Sequence, residues 1–151
     1  MEPSLAAYLE RIQFDGSPTT NLETLRSLQR QHLLNTPYEN LDVQLGRVVS
    51  RTWNDIFDKL VRRKRGGWCY EMNGLLGWAL QQLSFDVTYL SGGAARSLRG
   101  DSALGNRLVI LVKLEERLAA VFNLSDPDLS TLWPKLTATH AQMFPDEPKI
   151  L

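Results

Sequence analysis

A single cysteine occurs in the 151 residues, within Arg65-Gly66-Gly67-Trp68-Cys69-Tyr70-Glu71-Met72-Asn73. Met72, Leu76, Ala79 and Leu83 follow it at helical spacing, which predicts a helix beginning just after Gly66-Gly67. Cys69 then falls at the N-terminal end, where unpaired backbone N–H groups favour a thiolate, and Arg65 would add positive charge. Two glycines permit a close backbone approach there. A thiolate so placed can attack a thioester and hold the acyl group. A lone cysteine is most often a small buried hydrophobe, and the glycine pair can simply end one helix and open the next. From spacing alone both readings stand open. A single cysteine excludes an internal disulfide and any cysteine-cluster metal site.

Nucleophilic chemistry needs partners. A free thiol with a pKa near ~8.5 is only a few per cent ionised at neutral pH, so a base must take its proton and a third group must orient that base. The chain has two histidines. His32 lies on a helical face among Leu28, Leu33 and Leu34 and reads as structural. His140, in Thr139-His140-Ala141-Gln142, reads as a solvated loop residue. Asp126 and Asp128 flank Pro127, a turn signature.

The elements that must position Cys69 follow from periodicity. Leu5, Tyr8, Leu9 and Ile12 predict a short first helix, broken by Phe14-Asp15-Gly16-Ser17-Pro18. Thr20 with Glu23 reads as a capping box for a second helix carrying Leu22, Leu25, Leu28 and His32, which stops near Asn35 because Pro37 disfavours helical geometry before it. Pro37 to Val43 reads as extended or turn. Thr52 with Asp55 starts another helix, with Trp53, Ile56, Phe57 and Leu60 on one face. The basic run Arg62-Arg63-Lys64-Arg65 reads as the solvated last turn of that helix, where cations complement the dipole. After Phe85 the pattern changes. Val87 and Tyr89 predict a strand, Gly92 to Gly105 a flexible tract, and Arg107 to Leu114 a strand buried on both faces. Glu115-Glu116 would turn it into Arg117 to Phe122, making a hairpin, and Asn123 to Leu151 reads as irregular. The expectation is α+β: a helical part, residues 1–85, carrying the cysteine, and a partial antiparallel β part with an irregular tail, residues 86–151. Three strands leave open edges that invite association.

Lysine plus arginine equals aspartate plus glutamate, 17 against 17, which argues against nucleic acid or an anionic membrane as the main partner. No apolar run approaches a membrane span and Met1-Glu2-Pro3-Ser4 does not open a signal peptide, so the expected location is the cytoplasm.

The pattern R-G-G-x-C-x-E-x-N, matched here at every fixed position from Arg65 to Asn73, is similar to the active-site signature of the arylamine N-acetyltransferases. Pro37-Tyr38-Glu39-Asn40-Leu41 resembles the same family's P-F-E-N-L segment at the expected distance upstream. Leu9 to Ile12 and Gln31 to Leu34 resemble its N-terminal helices. The resemblance runs from Tyr8 to about Tyr89 and more weakly to Phe122. It implies a cysteine-protease-like architecture: a helical bundle, then a barrel-like β segment, here incomplete and without the C-terminal lid domain. It implies acetyl-CoA as acyl donor, no metal, and an arylamine or hydrazine acceptor served through a thioester on Cys69. It also implies that Tyr38 lines the acceptor pocket with Trp68 flanking it, and that Glu39 and Arg65 form a charged pair bracing the Gly66-Gly67 loop. The family's histidine position falls at Asn106 and its aspartate position at Ala120, within Ala119-Ala120-Val121-Phe122-Asn123 where the family has D-V-G-F-G. Asparagine cannot serve as a base and alanine cannot orient one. The tail from Leu129 reads as unrelated to the family, as in a truncated or frameshifted product. The expectation is reduced or lost activity. The alternative is a non-catalytic remnant that binds through an open sheet edge.

Overall fold

The computed structural model describes residues 2–50, 52–92, 107–114 and 117–121. Five helical elements come first: α1 (Leu5–Arg11), α2 (Leu22–Asn35), α3 (Leu41–Gln44), α4 (Trp53–Phe57), which runs on into a π-helical segment Asp58–Arg62, and α5 (Cys69–Gln82). Three strands follow, β1 (Asp86–Gly92), β2 (Arg107–Leu114) and β3 (Arg117–Val121). They form one antiparallel sheet in the order β1-β2-β3, with Val87 opposite Val112 and Leu111 opposite Ala120. Among the described residues β1 and β3 are its edges. The chain is thus α+β, helices first and an open sheet after them.

Local chemistry sets the helix boundaries. Ser4 and Thr52 cap α1 and α4 by accepting from Ala7 N and Asp55 N. The cap of α2 is Asn21, one residue beyond the expected Thr20: Asn21 Oδ1 accepts from Thr24 N at 2.8 Å, while Thr20 donates its hydroxyl to the Leu83 carbonyl. That bond ties the start of α2 to the end of α5. α2 stops at Asn35, ahead of Pro37. The segment after Pro37 is not wholly extended, because Leu41–Gln44 closes one helical turn.

One apolar core runs through both parts. Tyr8 and Ile12 of α1, Leu25 and Leu28 of α2, Ile56 and Phe57 of α4, Leu60 and Val61, five residues of α5, and Ile110 and Val112 of β2 are all buried in it. α5 is at its centre: beyond the expected stripe, Leu75 and Leu80 are buried too, so the helix is enclosed nearly all round. Val109 and Leu111 are buried on the other face of β2, as a continuous apolar run requires. Trp53 departs from the expected apolar face of α4: it is largely exposed, leaning toward Gly74.

His32 is fully buried, and its Nδ1 shares a hydrogen bond of 3.0 Å with the Tyr8 hydroxyl. Burial, followed by the positive charge of Arg11, lowers the imidazole to about 4, so it is neutral in the folded chain at pH 7. The unfolded chain takes up this proton near pH 6.5 and the folded chain only near pH 4, so stability is full above pH 6.5 and is lost as pH falls through that window. Urea melts should show wild type losing about 3 kcal/mol more than a His32→Gln chain between pH 7 and pH 4. Parallel pH dependences for the two chains would show that His32 does not titrate this way.

Candidate active site

The site is built on one backbone approach. The chain leaves the π-helical segment through Lys64, at φ 52°, and enters Arg65-Gly66-Gly67. There it runs parallel to Pro37-Tyr38-Glu39: Glu39 N donates to Gly67 O at 2.9 Å and Gly67 N to Pro37 O at 3.2 Å. No side chain fits in this contact. A Cβ on Gly66 would lie 2.0 Å from the Pro37 carbonyl oxygen, and one on Gly67 would lie 2.7 Å from Glu71 Oε2. The glycines are needed for close approach, since neither has a positive φ.

Beneath this contact lies a nearly buried cluster of charge. Lys59 Nζ donates to both carboxylate oxygens of Glu71 at 2.9 Å and sits 2.9 Å from Asp42 Oδ2. Arg65 reaches Asp42 through both terminal nitrogens, at 3.1 and 3.0 Å, and Glu39 Oε1 at 2.8 Å. Arg47 adds a contact of 3.3 Å to Asp42 from the solvent side. Three carboxylates therefore meet three cations. Hydrogen bonds from Lys59 and then Arg65 hold the Asp42 carboxyl well below the usual carboxylate range. Desolvation pulls the Lys59 ammonium down, but its bonds to Asp42 and Glu71 outweigh that and leave it raised. Arg65 is raised by Asp42 and then Glu39. Its charge is thus committed to this cluster rather than to the thiol, as the sequence suggested. Glu71 also accepts from Trp68 N at 3.2 Å, which fixes the first turn of α5. A cavity of about 290 Å³ opens onto this cluster, lined by Asp42, Arg47, Ser50, Asp55, Lys59 and Arg63 among others. Neither Cys69 nor Tyr38 borders it.

Cys69 is the first residue of α5 and is buried. Tyr38 is half-exposed, and its hydroxyl accepts from Arg107 Nη1 at 2.9 Å. Burial, and after it the neighbouring Cys69, push the phenol up to about 12 against an opposing pull from Arg107. The hydroxyl therefore keeps its proton at neutral pH. Trp68 packs against Tyr70 with the rings tilted by 41° and their centroids 5.1 Å apart. Asn73, one helical turn after Cys69, donates its amide to the Leu108 carbonyl and holds the head of β2 against α5.

The fold thus brings Tyr38, Glu39, Arg65, Gly66, Gly67, Trp68 and Cys69 together around one loop. His32 is in the core, held by Tyr8. Ala120 lies in β3, paired with Leu111. Asn106, Asp126, Asp128, His140, most of the Gly92–Gly105 tract and the tail fall outside the described residues. Asp42, Lys59 and Arg107 were not singled out by sequence reasoning. A lysine between Phe57 and Leu60 on an apolar helical face was the available signal for Lys59. For Arg107 there was none, since its partner lies 69 residues away.

Residues 21–122 match the N-acetyltransferase family. The chain belongs to the arylamine N-acetyltransferases. It is 47% identical to the arylamine N-acetyltransferase of Mycolicibacterium smegmatis over 93 residues, 61% of this chain and 34% of that protein. It is 39% identical to the Escherichia coli K12 protein over 118 residues, 77% of this chain and 41% of that one. Among solved structures, the Salmonella typhimurium arylamine N-acetyltransferase superposes with a TM-score of 0.72 at 30% identity, covering 82% of this chain and 45% of that one. The Mycobacterium marinum enzyme in complex with CoA does so with a TM-score of 0.69 at 32% identity, covering 78% and 45%. The chain spans roughly a third to a half of the length of these relatives.

The charge cluster yields a direct expectation. Lys59→Met leaves Asp42 and Glu71 without their shared cation, and should cost about 3–5 kcal/mol in urea unfolding. A loss below about 1 kcal/mol would show that water or Arg65 replaces it.

Proposed function

We propose that Cys69 is an acetyl-accepting nucleophile, taking an acetyl group from acetyl-CoA for transfer to an arylamine or hydrazine. The observation that carries this reading is the position of Cys69. It is the first residue of α5, set by Gly66-Gly67, within a family whose M. marinum member has been solved with CoA bound. In the first half-reaction the Cys69 thiolate attacks the thioester carbonyl, the new carbon–sulfur bond forms, and the bond to the CoA sulfur breaks. CoA leaves as a thiolate and takes up the proton that the Cys69 thiol lost to solvent. In the second, the acceptor nitrogen attacks the acetyl-cysteine, loses a proton and releases Cys69.

On this reading Glu39 and Arg65 brace the loop, Gly66 and Gly67 keep it tight, and Tyr38 and Trp68 flank the acceptor. Asn106 and Ala120 stand at the positions of the base and of its orienting carboxylate. Among the described residues the one histidine, His32, is held in the core by Tyr8, so on this reading no described imidazole takes the amine proton and turnover is reduced or lost. No metal is required by this chemistry, and among the described residues no cluster of histidine, cysteine and carboxylate groups suits one. No described helix is long and apolar enough to cross a membrane. The edge position of β3 favours a second role, self-association or binding of an extended segment by strand addition.

Intact-mass measurement after incubation with acetyl-CoA tests the first half-reaction. The folded chain should gain one acetyl group and the Cys69→Ala chain none. A folded chain that stays unmodified would sink the catalytic reading and leave the binding role.

A further inference from the structure

We propose that the cavity beside the charge cluster binds a small oxyanion of the phosphate class, held between Arg47 and Arg63. The inference is independent of the reading of Cys69, which does not border this cavity.

Two stretches of chain form the walls. Asp55, Lys59 and Arg63, spaced four residues apart, face the cavity from α4 and the π-helical segment that extends it. Arg47 to Ser50 face it from the connection between α3 and α4. Gly46, at φ 65°, turns the chain there, and Arg47 N donates to the Asp42 carbonyl at 2.9 Å, which brings Arg47 back over the cluster. Arg63 N closes the π-helical segment on the Asp58 carbonyl at 2.8 Å. The basic run Arg62-Arg63-Lys64-Arg65 is thereby divided. Arg65 turns into the buried cluster, and Arg63 onto the cavity.

The class of ligand follows from which wall groups are already satisfied. The walls carry four cations and three carboxylates, and the carboxylates are matched. Asp42 takes Lys59, Arg65 and Arg47, and Glu71 takes Lys59 and the Trp68 N–H. Asp55 takes the Thr52 hydroxyl at 2.8 Å. The donors at the rim are not matched. Arg47, its side chain 63% exposed, gives Nη1 to Asp42 at a long 3.3 Å, and Arg63, 56% exposed, has Nε 2.8 Å from Asp58. A guanidinium carries donors on every nitrogen and no acceptor, so both arginines keep N–H groups that meet no acceptor among the described residues. Each is also held by its carboxylate before a ligand arrives, which lowers the ordering cost of binding. A ligand here must bring acceptors, and charged planar donors favour the anionic oxygens of a phosphate. A volume of about 290 Å³ is at the small end of ligand cavities and suits phosphate or pyrophosphate.

Calorimetric titration of the full chain with inorganic pyrophosphate tests this, at low ionic strength where exposed charges are little screened. Binding should saturate at one site. Arg47→Gln and Arg63→Gln should each weaken it about tenfold, the worth of a charge-assisted hydrogen bond. Arg30→Gln removes an exposed charge on α2, none of whose residues lines the cavity, and should leave binding unchanged, as should Cys69→Ala. Circular dichroism is read on each chain, and should one arginine variant not fold, the other carries the test. CoA and pantetheine, which lacks the phosphates, are then added as competitors. Displacement by CoA alone would assign the site to phosphates carried by CoA, and displacement by neither would assign it to a free anion. Pyrophosphate that does not saturate, binding unchanged in both cavity variants, equal weakening by Arg30→Gln, or displacement by pantetheine would overturn the proposal. Binding in a chain that acetyl-CoA leaves unmodified would keep this site and remove the acetyl-transfer reading.

Discussion

The contact between Pro37-Tyr38-Glu39 and Gly66-Gly67 is the constraint on which the site depends. It brings two backbones, separated by nearly thirty residues of sequence, within reach of paired hydrogen bonds. It carries Glu39 to Arg65 and delivers the chain to the N-terminus of α5. Any Cβ at Gly66 collides with the Pro37 carbonyl, so the approach is a property of the sequence and not of side-chain packing that neighbours could adjust.

Such an approach carries a cost that the charge cluster offsets. Five charged side chains with little exposure would be expensive to desolvate singly, and a buried ion pair often does no better than apolar residues of the same volume. What it gives here is direction. Lys59, on the π-helical segment, can satisfy Asp42 and Glu71 together only if α3, that segment and α5 take one mutual arrangement. Arg65 adds the same demand for Glu39 and Asp42. An apolar core tolerates sliding and rotation far better than bonds of 2.8 to 3.1 Å do. The apolar residues of α5 supply the stability, and the cluster selects one register among the arrangements that would bury them equally well.

Much of this was legible in the sequence, for identifiable reasons. Period and capping residues placed α2, α5 and β2 within a residue or two, because each is long or bounded by a strong stop such as Pro37, whereas the helix from Thr52 starts as expected but ends at Phe57, passes into a π-helical segment that stops at Arg62, and leaves Arg63 to Arg65 beyond its last turn. Asn21 displaced Thr20 as a cap because two capping residues stand side by side, and spacing cannot choose between them. Leu41–Gln44 was missed because a single helical turn has no period to detect. The motif drew attention to Cys69, Arg65 and the glycines. It did not reveal Lys59, Asp42 or Arg107, whose roles exist only once distant segments meet. Arg65 shows the limit of proximity in sequence: four residues from Cys69, it spends its charge on Glu39 and Asp42.

The chemistry proposed for the two half-reactions makes unequal demands on such a site. Attack on a thioester needs a sulfur anion at the start, and that can be favoured by anything that holds negative charge, such as an imidazolium or a helix N-terminus. Transfer to nitrogen needs something else. A neutral amine attacking a carbonyl acquires positive charge, and a group must accept its proton before the nitrogen can be retained. The Tyr38 hydroxyl, pushed up to about 12, keeps its proton at neutral pH and is not that group. Acceptors that reach the carbonyl as weakly basic nitrogens, whose attached protons are lost readily to water once charge develops, suffer least from this asymmetry. Strongly basic alkylamines suffer most, because they arrive protonated and, among the described residues around Cys69, none is a base that would free them.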